Sequence, residues 1–174
     1  MKKYFYILAT SLLLLAGCAS SVTQDIKVEA DSDPKANLAG YKSYAWLGAA
    51  AIVFDDQGRW EPPAFDADAE IKFLIDRELR EHGMAESSSN PDMIVAFAAG
   101  IDMAAMEIKT DPESELKTLE NVPAGALSVI LIDAQTGLAV WAGVAKGEVQ
   151  QNPDQEVTKQ RLDYAVTEMF KELK

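Results

Sequence analysis

The sequence predicts an α+β fold, a single domain in which a mixed, mostly antiparallel β-sheet carries two packed helices. Two observations lead there. Two segments, 66–82 and 154–174, repeat apolar residues with helical period, while five others alternate or run apolar over strand length. These segments follow one another as strands, helix, strands, helix, the order of a layered α+β domain rather than of βαβ units. No internal repeat, low-complexity stretch or second domain boundary interrupts them.

The chain opens with Lys2 and Lys3 ahead of a nearly unbroken apolar run from Tyr4 to Leu15. That is the anatomy of a secretory signal peptide, and the run falls short of the roughly 20 apolar residues a membrane-spanning helix needs. Leu15-Ala16-Gly17-Cys18 resembles the bacterial lipobox, in which the cysteine thiol is lipidated, the signal is cut before it and the new N-terminus is acylated. Cys18 is the one cysteine of the chain, and Ala19, Ser20 and Ser21 follow it. The resemblance implies a signal peptide at 1–17, a lipidated N-terminus and short tether at 18–21, and a domain at 22–174. Fatty chains of the palmitate kind, two or more together, convert marginal membrane binding into stable anchoring. Retention in the inner membrane typically needs Asp after the cysteine. Ala19 stands there, so the implied site is the outer membrane, with the domain facing the periplasm.

Removing the signal leaves 157 residues, enough for one domain with its own core. They hold 14 basic and 28 acidic residues, a net charge of −14 with His82 neutral. Such a surface disfavours nucleic acid and anionic head groups. With Cys18 acylated no thiol is left for a disulfide, so packing alone must hold the fold.

The first strand is expected over Val22–Ala30. Val22, Gln24, Ile26, Val28 and Ala30 share one face and Thr23, Asp25, Lys27 and Glu29 the other, a half-buried edge strand. Ser43–Leu47 follows, with Tyr44 and Trp46 on one face. Asp66–His82 reads as a helix with the apolar stripe Ile71, Leu74, Ile75 and Leu79, acidic residues in its first turn and Gly83 as its stop. Met93–Ile101 is a central strand whose large residues (Met93, Val95, Phe97, Ile101) face one way. Its small ones face the other, where another element is expected to pack closely. Ala126–Asp133, the turn 134–137 and Leu138–Gln150 form an antiparallel hairpin. Asn152-Pro153-Asp154 then opens a helix running to Lys174, with Leu162, Ala165, Val166, Met169 and Leu173 inward. Two connections, 48–65 and 102–123, exceed the usual loop length, which marks functional segments or concealed elements. Ile101, Met103 and Ala105 keep the alternation of their strand into the second. The first carries Ile52, Val53, Phe54, Trp60 and Phe65, too apolar for a solvated loop; it folds back as a hairpin or lines a pocket.

Several motifs together resemble a bacterial lipoprotein family, the domain of unknown function DUF4136. They are Tyr41-Lys42-Ser43-Tyr44-Ala45-Trp46 after the opening strand, the helix ending near Gly83, and Asn90-Pro91-Asp92 before a core strand. Gly125-Ala126-Leu127 opens the next strand and Leu138-Ala139-Val140-Trp141-Ala142-Gly143 completes the set. A common version of the last motif has Arg between Trp and Gly, where this chain has Ala142. The family carries no assigned catalytic activity.

Elementary chemistry points the same way. His82 is the one histidine and sits where a helix end favours a cation. No Ser-His-Asp or Cys-His arrangement can be assembled, and zinc lacks its ligands. The run Asp66-Ala67-Asp68-Ala69-Glu70 fails the calcium-loop pattern, which needs Gly at its sixth position and Glu at its twelfth; Ile71 and Arg77 stand there. Asp111, Glu113 and Glu115 read as a solvated charge run. Met103 and Met106 lack a third soft ligand for copper(I) and fill core gaps instead.

The expectation is therefore a non-catalytic envelope lipoprotein without cofactor or metal, anchored through Cys18 and acting as a binding, structural or adaptor domain for an envelope protein. The alternative is a periplasmic carrier or sensor of a small apolar ligand or lipid. Tyr44, Trp46, Phe54, Trp60 and Phe65 are the candidate partner or ligand surface.

Overall fold

A computed structural model describes residues 21–47, 65–102, 106–110, 117–121, 124–150 and 154–173. Its main sheet is built from β1 (Lys27–Ser32), β2 (Ser43–Trp46), β3 (Ala85–Glu86), β4 (Met93–Asp102), β7 (Ala124–Asp133) and β8 (Ala139–Glu148), in the spatial order β1-β8-β7-β4-β2-β3. β5 (Met106–Thr110) and β6 (Lys117–Asn121) pair as a separate antiparallel hairpin. The helices are α1 (Ala67–Glu81) and α2 (Gln155–Phe170). The contacts of β2 with β3 and β4 are parallel; every other ladder is antiparallel. The α+β fold class expected from the sequence is the one observed.

Cross-strand register decides which residues meet the helices. Met93, Val95 and Phe97 on β4 pair with Asp133, Leu131 and Val129 on β7, and Leu131, Val129 and Leu127 pair with Trp141, Gly143 and Ala145 on β8. These residues share the face against which Ile71, Leu74, Ile75 and Leu79 of α1 and Ala165, Val166, Met169 and Phe170 of α2 are buried, forming one core. The opposite face carries Ile94, Ala96, Ala98, Ser128, Ile130, Ala142 and Val144. Most are half-buried and Ile130 is 38% exposed. No helix of the described residues covers that face, so the expected neighbour on the small-residue side of β4 is not found among them. Among the described residues the tight packing lies on the other side of the sheet.

Element ends follow from capping. Asp66 accepts from Ala69 N–H at the start of α1, and Asp154 accepts from Glu156 N–H at the start of α2. At the end of α1, Gly83 takes φ +80°, with Gly83 N–H donating to Arg80 O and Met84 N–H to Leu79 O, which satisfies two otherwise orphaned carbonyls. His82 occupies the cap position, its Nδ1 2.9 Å from Glu78 O.

Several details differ from expectation, β7 starting at Ala124 and β8 spanning Ala139–Glu148 among them. β1 begins at Lys27 and not Val22, because Ser21–Thr23 form a 3₁₀ turn and a second turn follows, in which Ile26 N–H donates to Thr23 O. α2 stops at Phe170, and Leu173 reaches the core through a final turn in which its N–H donates to Phe170 O. The connection 102–123 contains the β5–β6 hairpin. Among the described residues, no helix is long and apolar enough to cross a membrane.

Candidate binding site

The motif residues are engaged with one another. Asp92, just before β4, accepts from Lys42 N–H, Ser43 N–H and Ser43 Oγ at 2.8, 2.9 and 2.9 Å, while its own N–H donates to Ser43 O. These donors hold its carboxyl below the usual carboxylate range, the Lys42 amide first among them. Tyr41 donates to Asp133 Oδ2 at 2.8 Å, and burial, reinforced by that carboxylate, pushes its phenol up to about 12. Asp133 also accepts from Gln135 N–H, Thr136 N–H and Thr136 Oγ1, clamping the β7–β8 turn. Asn90, at φ +51°, turns the chain into this arrangement. These groups fix the start of β2 against β4 and β7, and each is occupied by its neighbours.

Of the residues expected to form a recognition surface, Tyr44 and Trp46 meet edge-on, with ring centroids 6.3 Å apart, but Tyr44 is turned into the core. Tyr44 is 1% exposed, faces α1 and donates to Asp76 Oδ1 at 2.6 Å; it is a core residue rather than part of a surface. Burial first, then Asp76, raises its phenol pKa. Trp46 is half-buried, edge-on to Phe97 with ring centroids 5.9 Å apart, and Lys72 Nζ lies 5.8 Å from its ring. Phe65, also half-buried, lies beneath Lys159 Nζ at 5.3 Å. Cys18, Phe54 and Trp60 lie outside the described residues, as does most of the 48–65 connection.

A cavity of about 200 Å³ opens elsewhere, between α2 and the ends of β4, β7 and β8. Ile26, Ala99, Leu127, Ala145, Leu162 and Ala165 supply much of its wall. Its origin is a convergence of small residues. Gly125 pairs with Gly147 and Leu127 with both Ala99 and Ala145, so of these paired positions only Leu127 raises a large side chain beneath the first turns of α2. Arg161 crosses one side of it. Its Nη1 and Nη2 bond Asp25 Oδ1 and Oδ2 at 2.7 and 2.6 Å, Nη1 also reaches Val22 O, and Nη2 reaches Glu148 O at 3.1 Å. The guanidinium holds the Asp25 carboxyl below its usual range. A Cβ at Gly147 would lie 2.8 Å from Arg161 Nη2 and 3.1 Å from Asp25 Oδ2, so glycine is what admits the ion pair. The sequence offers a pocket along the 48–65 connection; the signal that locates this cavity is non-local, four small residues on three strands brought together by register.

No group of three or more His, Cys, Asp or Glu side chains is placed to hold a metal among the described residues. At the sheet edge, β1 pairs with β8 alone. Lys27, Glu29 and Asp31 are exposed while Val28, Ala30 and Ser32 turn toward the helices.

Comparison with known proteins bears on this arrangement as follows. The family model described as "Domain of unknown function (DUF4136)" matches residues 28–173. No curated protein matches. Among solved structures, a DUF4136 family protein from Bacteroides thetaiotaomicron is similar with a TM-score of 0.54 at 9% identity, over 83% of this chain and 95% of that one. A PelC dodecamer from Paraburkholderia phytofirmans gives 0.49 at 12% identity, over 85% and 96%. A PDZ domain protein from Parabacteroides distasonis gives 0.49 at 13% identity, over 83% of this chain and 34% of that one.

Proposed function

The chain belongs to the DUF4136 family, and from that premise we propose that it is a non-catalytic lipoprotein of the bacterial cell envelope. In this reading Cys18 carries the lipid, the domain stands on the periplasmic side of the outer membrane, and it binds another envelope protein. The observation that carries the proposal is the placing of β1. This strand forms one edge of the sheet, and its first residue follows Cys18 by nine positions. An edge strand offers backbone N–H and C=O groups to an added strand. The anchor would hold that edge close to the membrane, where an envelope partner can reach it.

The absence of catalysis in this reading is supported by what the candidate groups do. His82 caps α1, and Tyr41, Ser43, Asp92 and Asp133 are consumed in fold-holding hydrogen bonds. In-cell photo-crosslinking from Glu29 and Asp31, in wild type and in Cys18→Ser, tests the proposal. One envelope protein captured from the anchored chain and lost from the unanchored one is the expected result. Crosslinks scattered over unrelated proteins, or confined to inner-membrane ones, overturn it.

The cavity beneath α2 favours a second reading, a carrier or sensor of a small apolar ligand or lipid. Pockets for whole small molecules run from about 300 to 1,000 Å³, so the space of about 200 Å³ suits only a slender occupant. Native mass spectrometry of the domain showing the bare polypeptide mass alone would remove that reading for tightly held ligands.

A further inference from the structure

We propose that the cavity between α2 and the ends of β4, β7 and β8 shelters one acyl chain of the lipid on Cys18. The inference rests on the lipidation of Cys18 and names the occupant that the carrier reading leaves open.

The wall has the chemistry for hydrocarbon. Ile26, Leu127, Leu162 and four alanines make most of its wall, with Lys146 and Glu148 also lining it, and its one guanidinium, Arg161, is already bonded to Asp25, Val22 O and Glu148 O. No unpaired charge of Arg161 is left to call for an anion. At about 200 Å³ the space has room for the terminal stretch of a fatty chain. The space opens to solvent, and a fitting hydrocarbon chain that displaces water from its apolar wall gains by burial.

The N-terminus enters the fold at this same place. Arg161 grips the Val22 carbonyl and the Asp25 carboxylate, and Ile26 is itself part of the cavity wall. Cys18 precedes Val22 by four residues, a reach of at most about 14 Å even fully extended. A tether that short gives an attached group an effective concentration in the millimolar range, well above that of a free competitor of equal affinity in the periplasm. Lipid on both the thiol and the amine lets one chain be sheltered while the others stay in the bilayer. The end of the domain that holds the cavity then faces the membrane.

The test uses the full chain in living cells fed a fatty acid carrying a diazirine, followed by illumination, digestion and mass spectrometry. The expected product joins the lipidated Cys18 peptide to a cavity-wall peptide containing Leu127 or Leu162. Ala99→Leu, which fills the space, should lower its yield at least tenfold. Gly125→Ala should lower it several-fold, and its new Cβ meets only ordinary contacts of 3.6 and 3.7 Å, so that variant folds even if the first does not. Lipidated Cys18 without such a crosslink, or wall peptides joined to phospholipid, overturns the inference and leaves the anchored-adaptor reading standing. A Cys18 peptide without lipid overturns both.

Discussion

Trp141 lies across the backbone of Gly143, two residues further along the same strand. A Cβ at Gly143 would stand 2.6 Å from Cη2 of the Trp141 ring and 3.0 Å from Met169 Sδ. The ring is 1% exposed and tilts against Phe170 with centroids 4.9 Å apart. Glycine supplies room here, not backbone freedom, which gives the Trp-x-Gly motif a packing reason.

Gly143→Ala is therefore expected to destabilise the domain by about 1–3 kcal/mol through overpacking, and Trp141→Ala by about 3–5 kcal/mol through the cavity it leaves. Because the two residues occupy one space, the double variant should lose less than the sum of the singles. Urea denaturation of all four proteins measures this, and strict additivity would contradict the contact.

Most of this fold was legible because its signals are local. The stripe Ile71, Leu74, Ile75, Leu79 needs only helical period, and the edge character of β1 needs only Lys27, Glu29 and Asp31 alternating with Val28 and Ala30. What escaped depends on distant partners. Val22 lies in strand-like alternation, yet Arg161, far along the chain, captures its carbonyl and Asp25, and the segment turns. Phe170 belongs to the buried face of α2 but lay outside the stripe read from the sequence. The candidate site fared worse. Tyr44 reads as a surface aromatic until its hydroxyl is seen to meet Asp76, and the cavity arises from Ala99, Gly125, Ala145 and Gly147, which only strand register unites.

The Asp25–Arg161 pair should make the N-terminal segment sensitive to acid. The folded-state pKa of Asp25 is depressed, so its contribution is fully present above the ordinary value of about 3.9 and is lost as pH falls through the lowered one. Stability followed from about pH 5 down to about pH 2 should fall less steeply in Asp25→Asn than in wild type. Parallel acid limbs would show that the pair contributes nothing.

Arg77 joins the two helices. Its Nη1 donates to Asp163 Oδ1 at 2.5 Å and its Nη2 to Glu78 Oε1 at 2.5 Å and Thr167 Oγ1 at 2.8 Å, beside a Glu78 only 6% exposed. Arg77→Ala leaves that carboxylate with the Thr167 hydroxyl as its partner and no cation beside it, and should cost about 1–3 kcal/mol. Arg77→Lys should not restore it, since an ammonium cannot reproduce the fork. Arg77→Met with Glu78→Leu should recover much of the loss by removing both charges together. Thermal melts of the set decide whether the network acts as one unit.

Tyr41 predicts the alkaline limit. Burial, with the hydrogen bond to Asp133, raises its phenol to about 12, so the fold favours the protonated ring. Its contribution is complete below the ordinary value of about 10 and is lost as pH rises through the raised one. Tyr41→Phe should flatten the fall in stability across that window and remove one late tyrosinate transition from the absorbance titration. A transition unchanged by the substitution would place the late phenol elsewhere.

Ala142 sits on the sheet face turned away from the helices, paired with Ile130 on β7 and with Asp31 on β1. A common version of the family motif carries arginine between Trp and Gly, and here the geometry gives such an arginine a partner. Projecting away from the helices, its guanidinium would lie directly across from an exposed carboxylate, while its stem covers part of Ile130, which is 38% exposed. Opposite charges placed directly across a ladder contribute about 0.2–1 kcal/mol. Ala142→Arg is thus expected to be neutral or stabilising, in contrast to the losses expected on changing its neighbours Trp141 and Gly143. The gain should vanish in the Asp31→Asn background, and chemical denaturation of both pairs measures it. A large loss on Ala142→Arg would mean that this face is covered in the folded protein, and would move the search for a partner from the β1 edge to the sheet surface.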